Sequence, residues 1–147
     1  MFNLKFRSFA AVAVLIVAGV TAASAQLTSG TVLKFNVASA FVLRDKSFPA
    51  GNYTIERTPS TTDSPTLLIL RGNKTAMVFD TLTSRAAKVA DNTELVFETV
   101  GGINFLTEIH LQGDAQAIEI PKTKNQLKGI AENGPADAVV TTTALGL

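Results

Sequence analysis

Residues 94–111 read Glu-Leu-Val-Phe-Glu-Thr-Val-Gly-Gly-Ile-Asn-Phe-Leu-Thr-Glu-Ile-His-Leu, two runs rich in β-branched and aromatic residues around a Gly-Gly pair. Such residues fit a pleated, half-buried surface, and paired glycines supply the positive φ that a tight hairpin turn needs. The stretch is a β-hairpin with two possible registers. A two-residue Gly101-Gly102 loop sets Glu98 against Phe105 and Leu95 against Glu108, which mixes polar and apolar groups on both faces. A three-residue loop, Gly101 to Ile103, sets Leu95, Phe97 and Thr99 against Phe105, Thr107 and Ile109 and gives one apolar face. A slip of one residue moves every side chain to the other face, so burial favours the second register. In it Glu94, Glu98, Glu108 and His110 share the outer face, with Glu94 opposite His110 and Glu98 opposite Leu106.

The same grammar extends in both directions. Leu33, Phe35 and Val37 alternate with Lys34 and Asn36, a period of two that puts the apolar set on one face. Ala40 to Leu43 is a second run, and Phe48-Pro49-Ala50-Gly51-Asn52 is a turn leading into the strand Tyr53 to Arg57. Tyr53 is expected to pack its ring and bring its hydroxyl to a backbone acceptor. Thr58 to Pro65 is all Thr, Ser, Pro and Asp and reads as a loop. Thr66 to Phe79 is a second hairpin with a Gly72-Asn73 loop, pairing Arg71 with Lys74, Ile69 with Ala76 and Leu67 with Val78; its first strand is apolar on both faces and therefore central. Ser84 to Asn92 is polar and reads as a surface crossing, and Ala115 to Ile120 as a last strand. Pro121 to Ala131 fits a short helix with Leu127, Ile130 and Ala131 on one side and Lys122, Lys124 and Lys128 on the other. The expected fold is all-β: an antiparallel β-sandwich or barrel of about seven to nine short strands with a short C-terminal helix. Phe35, Leu68, Leu70, Phe97, Phe105 and Ile109 are the expected core.

The N-terminal end follows a different rule. Lys5 and Arg7 precede an apolar run from Phe9 to Val20, and small residues stand at Ala23 and Ala25 before Gln26. That order is the one of a secretory signal peptide cleaved between Ala25 and Gln26, and a run of 12 residues is short of the ~20 that span a bilayer. The plan is a signal peptide over residues 1–25, a single β-domain over 26–132 and a flexible tail or edge strand over 133–147. Cleavage leaves 122 of the 147 residues and, without Lys5 and Arg7, 11 basic against 12 acidic side chains. Near-neutral charge argues against a nucleic-acid partner, and no stable membrane span is expected after cleavage. The chain has no Cys and one His, which removes disulfides, thiol nucleophiles and Cys-based zinc sites, and no metal or other cofactor is expected.

Leu33-Lys34-Phe35-Asn36-Val37, Phe48-Pro49-Ala50-Gly51-Asn52-Tyr53-Thr54-Ile55, Leu95-Val96-Phe97, Phe105-Leu106-Thr107-Glu108-Ile109 and Glu119-Ile120-Pro121-Lys122-Thr123-Lys124 follow one another in this order. The series resembles a family of small exported bacterial proteins with the pattern VPFxF, LPAGxYxV, LVFxxYG, FLSEVW and ELPKSK. It departs from that pattern at Asn36-Val37-Ala38, where the family has Pro-Phe, at Phe48, where it has Leu, and near His110, where it has an aromatic residue. The resemblance implies an all-β fold with a small C-terminal helix and implies no activity.

The polar set Glu94, Glu98, Glu108 and His110 is the candidate binding site. Carboxylates ~5–10 Å apart serve glycosidases, and with an imidazole they serve a hard cation; the plain alternative is the solvated side of an amphipathic hairpin. Ser84 with Asp80 or Asp91 and His110 lacks the G-x-S-x-G elbow of a serine hydrolase. The expected function is that of an exported, non-enzymatic β-domain, periplasmic or extracellular, which binds an envelope polysaccharide or protein or serves structurally in the cell envelope. The other expectations weighed are a small glycan-acting hydrolase using Glu94, Glu98, Glu108 or His110, and a carrier of a small apolar ligand inside a closed barrel.

Overall fold

The computed structural model describes residues 27, 30–58, 67–86 and 88–146. The signal segment with its Ala25-Gln26 junction, and residues 59–66 of the Thr/Ser/Pro loop, lie outside the described residues. The strands are β1 (Val32–Val37), β2 (Phe41–Leu43), β3 (Lys46–Phe48), β4 (Gly51–Arg57), β5 (Leu67–Gly72), β6 (Thr75–Asp80), β7 (Leu82–Arg85), β8 (Glu94–Val100), β9 (Ile103–His110), β10 (Gln116–Glu119) and β11 (Ala138–Thr143), with helix α1 (Lys124–Asn133) between β10 and β11.

Two sheets form a sandwich that does not close into a barrel. The first has the order β1-β4-β5-β6 and the second β11-β8-β9-β10-β7, with the β2–β3 hairpin attached to β9 through the parallel pair Val42 and Phe105. Alternation explains what lies between them. Leu33, Phe35 and Val37 of β1, Tyr53 and Ile55 of β4, and Leu68 and Leu70 of β5 are buried from one side; Leu95, Phe97, Leu106 and Ile109 are buried from the other. Phe41 links the halves, its ring 5.2 Å from that of Tyr53 and 5.4 Å from those of Phe48 and Phe97. The Tyr53 hydroxyl donates to the Pro49 carbonyl at 2.5 Å, the backbone acceptor the sequence led us to expect. Among the described residues no helix is long and apolar enough to cross a membrane.

The β8–β9 hairpin corrects the expected register in an instructive way. The turn is the two-residue Gly101-Gly102, both at positive φ (56° and 79°), and beside it Val100 pairs with Ile103, Thr99 with Asn104 and Glu98 with Phe105. A bulge then shifts the register, and Leu95 pairs with Ile109 and Glu94 with His110, as the three-residue loop required. Thr107 is the residue skipped, and its hydroxyl donates to the Val96 carbonyl. Leu106 and Ile109 are three positions apart, so a period of two could not place both in the core; the extra residue does. Phe105 thereby leaves the inner face and is buried on the outer one, beside Val100 and Gly129 of α1, and Glu98 faces Phe105 rather than Leu106.

The other differences have similarly local causes. The β5–β6 loop is Asn73-Lys74, with Lys74 at φ 67°, so Arg71 pairs with Ala76, Ile69 with Val78 and Leu67 with Asp80; the shift is by two and preserves the faces. Gly72 is the last residue of β5, paired with Thr75, and a Cβ there would lie 2.5 Å from the Tyr53 ring. The start of the expected crossing is β7, which pairs with β10 through Ser84 and Ala117. The tail over 138–143 is an edge strand on β8. In α1, capped by Thr123 and ended by Gly134 at φ 88°, Gln126 is the buried residue and Leu127 is exposed. Gly129 is what lies down, with Val100 Cγ1 at ordinary contact distance, 3.9 Å, from where a Cβ would sit, and this turns the Gln126–Gly129–Ile130 stripe inward.

Two consequences are measurable. Gly72→Ala drives a methyl into a packed ring and is expected to cost about 1–3 kcal/mol in chemical unfolding, whereas Gly129→Ala, in open helical space, is expected to stabilise by about 0.5–1 kcal/mol. Burial raises the pKa of Tyr53 above its ordinary 10.0 by disfavouring the phenolate. The unfolded chain ionises first, so the contribution of Tyr53 to stability is whole below pH 10.0 and is lost as pH rises through the folded value. Tyr53 is the only Tyr and there is no Trp, so tyrosinate absorbance should follow this one group and rise together with unfolding at alkaline pH.

Candidate functional site

The bulge at Thr107 decides which side chains meet on the outer face of the second sheet. Beyond it Glu108 and His110 point outward, on the same face as Glu94. His110 Nε2 lies 2.7 Å from Glu108 Oε2 and its Nδ1 3.7 Å from Glu94 Oε1, so one imidazole sits between two carboxylates. These three side chains are 21–37% exposed, reachable yet backed by the sheet. Beside Glu94 and His110 lies an open-sided depression of about 350 Å³, walled by Lys88, Asp91 and Asn92 of the segment that crosses from β7 to β8. That segment is held to the β10 side by the Ala86 N–H on the Ala115 carbonyl, at 2.9 Å, and the Ala90 N–H on the Asp114 carbonyl, at 3.1 Å.

Glu98 does not join this group. It stands four residues from Glu94 along β8, ~13 Å in an extended strand, and its carboxylate accepts from Lys122 Nζ at 2.6 Å. Of the four residues read from the sequence, three come together and the fourth belongs to an ion pair with the loop before α1. The expected basic face is likewise divided, since Lys122 serves Glu98 and Lys128 lies 3.8 Å from Glu132. Ser84 is on the same cross-strand row as His110, with Ala117 between them. Two strand spacings put it ~10 Å away, beyond hydrogen-bond reach, so no serine–histidine pair forms. Among the described residues no three His, Cys, Asp or Glu side chains are placed to hold a metal ion.

Glu119 belongs to the surface and was not foreseen. It stands directly opposite Glu108 on the neighbouring strand β10, a like-charge pair at the closest cross-strand position. Gly113, at φ 79°, marks the turn between β9 and β10, but a two-residue Gln112-Gly113 loop or a three-residue loop from Gln112 to Asp114 would set Glu108 against Ala117 or Ile118; the observed pair follows from the longer connection between His110 and Ala117, which the turn residues do not reveal. Lys122 as the partner of Glu98 had no signal either, because it reaches across 24 residues of chain.

A comparison with protein-family models, curated proteins and solved structures finds no match to this chain.

Because two carboxylates face each other, Glu119→Gln is expected to leave the fold intact and raise stability by about 0.2–1 kcal/mol, with the gain shrinking in high salt. Denaturant midpoints at low and high ionic strength check this; a loss of stability would mean that Glu119 has a favourable partner instead.

Proposed function

We propose that the chain is an exported, non-enzymatic β-domain that acts in a bacterial cell envelope by binding a polysaccharide or protein there, or as a structural part of it. One observation carries the reading: the side chains with chemical capability are spent on one another, Glu108 on His110 at 2.7 Å and Glu98 on Lys122 at 2.6 Å. A glycosidase needs two carboxylates facing a scissile bond from opposite sides, with one of them free to act as acid. Here the outer-face acids lie on one sheet surface beside a shallow depression, an arrangement suited to hydrogen-bonding the hydroxyls or amides of an extended polymer. The signal-like segment ending at Ala25-Gln26, the near-neutral charge of the remaining residues and the resemblance to small exported bacterial proteins support a periplasmic or extracellular place.

The test pairs location with chemistry. Expressed with its leader in a bacterium, the protein should be recovered outside the cytoplasm with an intact mass that starts at Gln26. The purified protein should co-sediment with an insoluble envelope fraction, and the double variant Glu94→Gln/Glu108→Gln should weaken that association while releasing no product from chromogenic glycosides before or after substitution. Glycoside turnover that disappears in the double variant would replace this reading with the hydrolase.

A further inference from the structure

Five strands stand at the edges of the two sheets, the three-residue β3 among them, and they are not equally protected. β1 is covered where Phe35 bridges Ala144 and the Leu145 N–H donates to the Lys34 carbonyl at 2.8 Å, and the same contact occupies the C-terminal end of β11. β7 offers only four residues. β6 offers six, Thr75 to Asp80, without a proline or a bulge. Among the described residues, Lys46 touches it at the Thr75 hydroxyl (3.2 Å) and Arg44 at the Asp80 carboxylate (3.5 Å), both at its ends.

Backbone parity shows what the middle of β6 presents. The Thr58 N–H donates to the Leu67 carbonyl at 3.2 Å, so on β5 Leu67, Ile69 and Arg71 turn their main-chain groups to β4, and Leu68, Leu70 and Gly72 turn theirs to β6. Phe79, Met77 and Thr75 are thereby engaged, and Ala76, Val78 and Asp80 hold N–H and C=O toward the open side. An open row of this kind is a template for another strand. Val78, 54% exposed on the outer face beside half-buried Ile69, adds apolar surface.

Charge selects the occupant. Lys74 stands just before β6 and Asp80 ends it, with no charged residue between. We propose that β6 pairs antiparallel with β6 of a second copy of this chain about a two-fold axis at Met77, fusing two four-stranded sheets into one. In this register Lys74 of each copy meets Asp80 of the other at both ends, and Ala76 and Val78 exchange backbone hydrogen bonds across the axis. A parallel neighbour would instead set Lys74 on Lys74 and Asp80 on Asp80. Asp80 keeps a side chain 55% exposed while bound to Arg44, so it can accept the second cation. The pairing uses an edge remote in sequence from the Glu94–His110 surface and holds whether or not that surface binds a polymer.

Sedimentation velocity on the purified protein from micromolar to millimolar concentration should show a reversible dimer. Lys74→Glu, at an exposed turn residue, should raise the dissociation constant about tenfold with an unchanged circular-dichroism spectrum, and adding Asp80→Lys should restore dimerisation. Val78→Pro removes an N–H that no described strand of the same chain uses and should also dissociate the pair. A protein monomeric at every concentration overturns the proposal, as does a dimer indifferent to both Lys74→Glu and Val78→Pro, or one that Asp80→Lys fails to rescue.

Discussion

The ring of Tyr53 is the point through which the two sheets hold each other. It lies over Gly72 so closely that no Cβ fits between, its hydroxyl is tied to the Pro49 carbonyl, and its edges meet Phe41 at 5.2 Å and Phe48 at 6.1 Å. Tyr53 belongs to the first sheet, and Phe41 and Phe48 to the hairpin attached to the second. Its strand pairing with β9 is confined to one register position, Val42 with Phe105, and side-chain bonds at its turn, Arg44 to the Pro121 carbonyl and Asn125 to Asp45, add to it. Backbone hydrogen bonds therefore bring β2 and β3 to the edge of the second sheet, and aromatic packing fixes them under the first. Edge-to-face pairs of this kind add about 0.5–1.5 kcal/mol each beyond the area they bury, and Phe41 takes part in two of them, with Tyr53 and with Phe97.

The Thr107 bulge does for the outer surface what Tyr53 does for the core. Without it, the register beside the Gly101-Gly102 turn would continue along the strand and set Leu95 against Glu108, leaving an acid or a leucine on the wrong side of the sheet. With it, Leu106 and Ile109 both enter the core, Phe105 goes under the helix, and Glu108 and His110 reach the face where Glu94 waits. The polar cluster is a by-product of a packing solution. That explains why it holds three of the four side chains expected there and why Glu98, on the turn side of the bulge, pairs with Lys122 instead.

Sequence patterns reveal whatever is set by neighbours along one strand. The alternation of Leu33, Phe35 and Val37 with Lys34 and Asn36, the centrality of β5 and the packed Tyr53 with its carbonyl acceptor were all readable, because each depends on a period of two or on a turn a few residues away. The bulge was half-readable: the spacing of Leu106 and Ile109 conflicts with a period of two, yet a single uninterrupted register with a three-residue loop already gives one apolar face and hides the extra residue. The inward side of α1 was not readable, since apolar Leu127 is the obvious anchor and polar Gln126 takes the buried position. Which side turns in is set by the packing of α1 against Val100 of β8, a property of the sheet beneath the helix rather than of the helix itself.

The outer face of the second sheet then carries an asymmetry that bears on any ligand. Glu94, Glu108 and Glu119 gather at one end, where the His110 imidazole sits between two of these carboxylates, and Lys122 begins a more basic stretch toward α1, where Lys124 and Lys128 follow. The Glu98–Lys122 pair sits at the junction of the two. An anionic polymer lying across the acidic end would meet the repulsion of three glutamates, with Lys88 on the depression's wall to offset it, and at moderate salt that repulsion extends over about 10 Å. Hydroxyl- or amine-bearing chains meet no such penalty. A ligand bound at the Glu94–His110 depression would therefore be expected to present neutral or cationic segments there, with any attraction for anions nearer the helix.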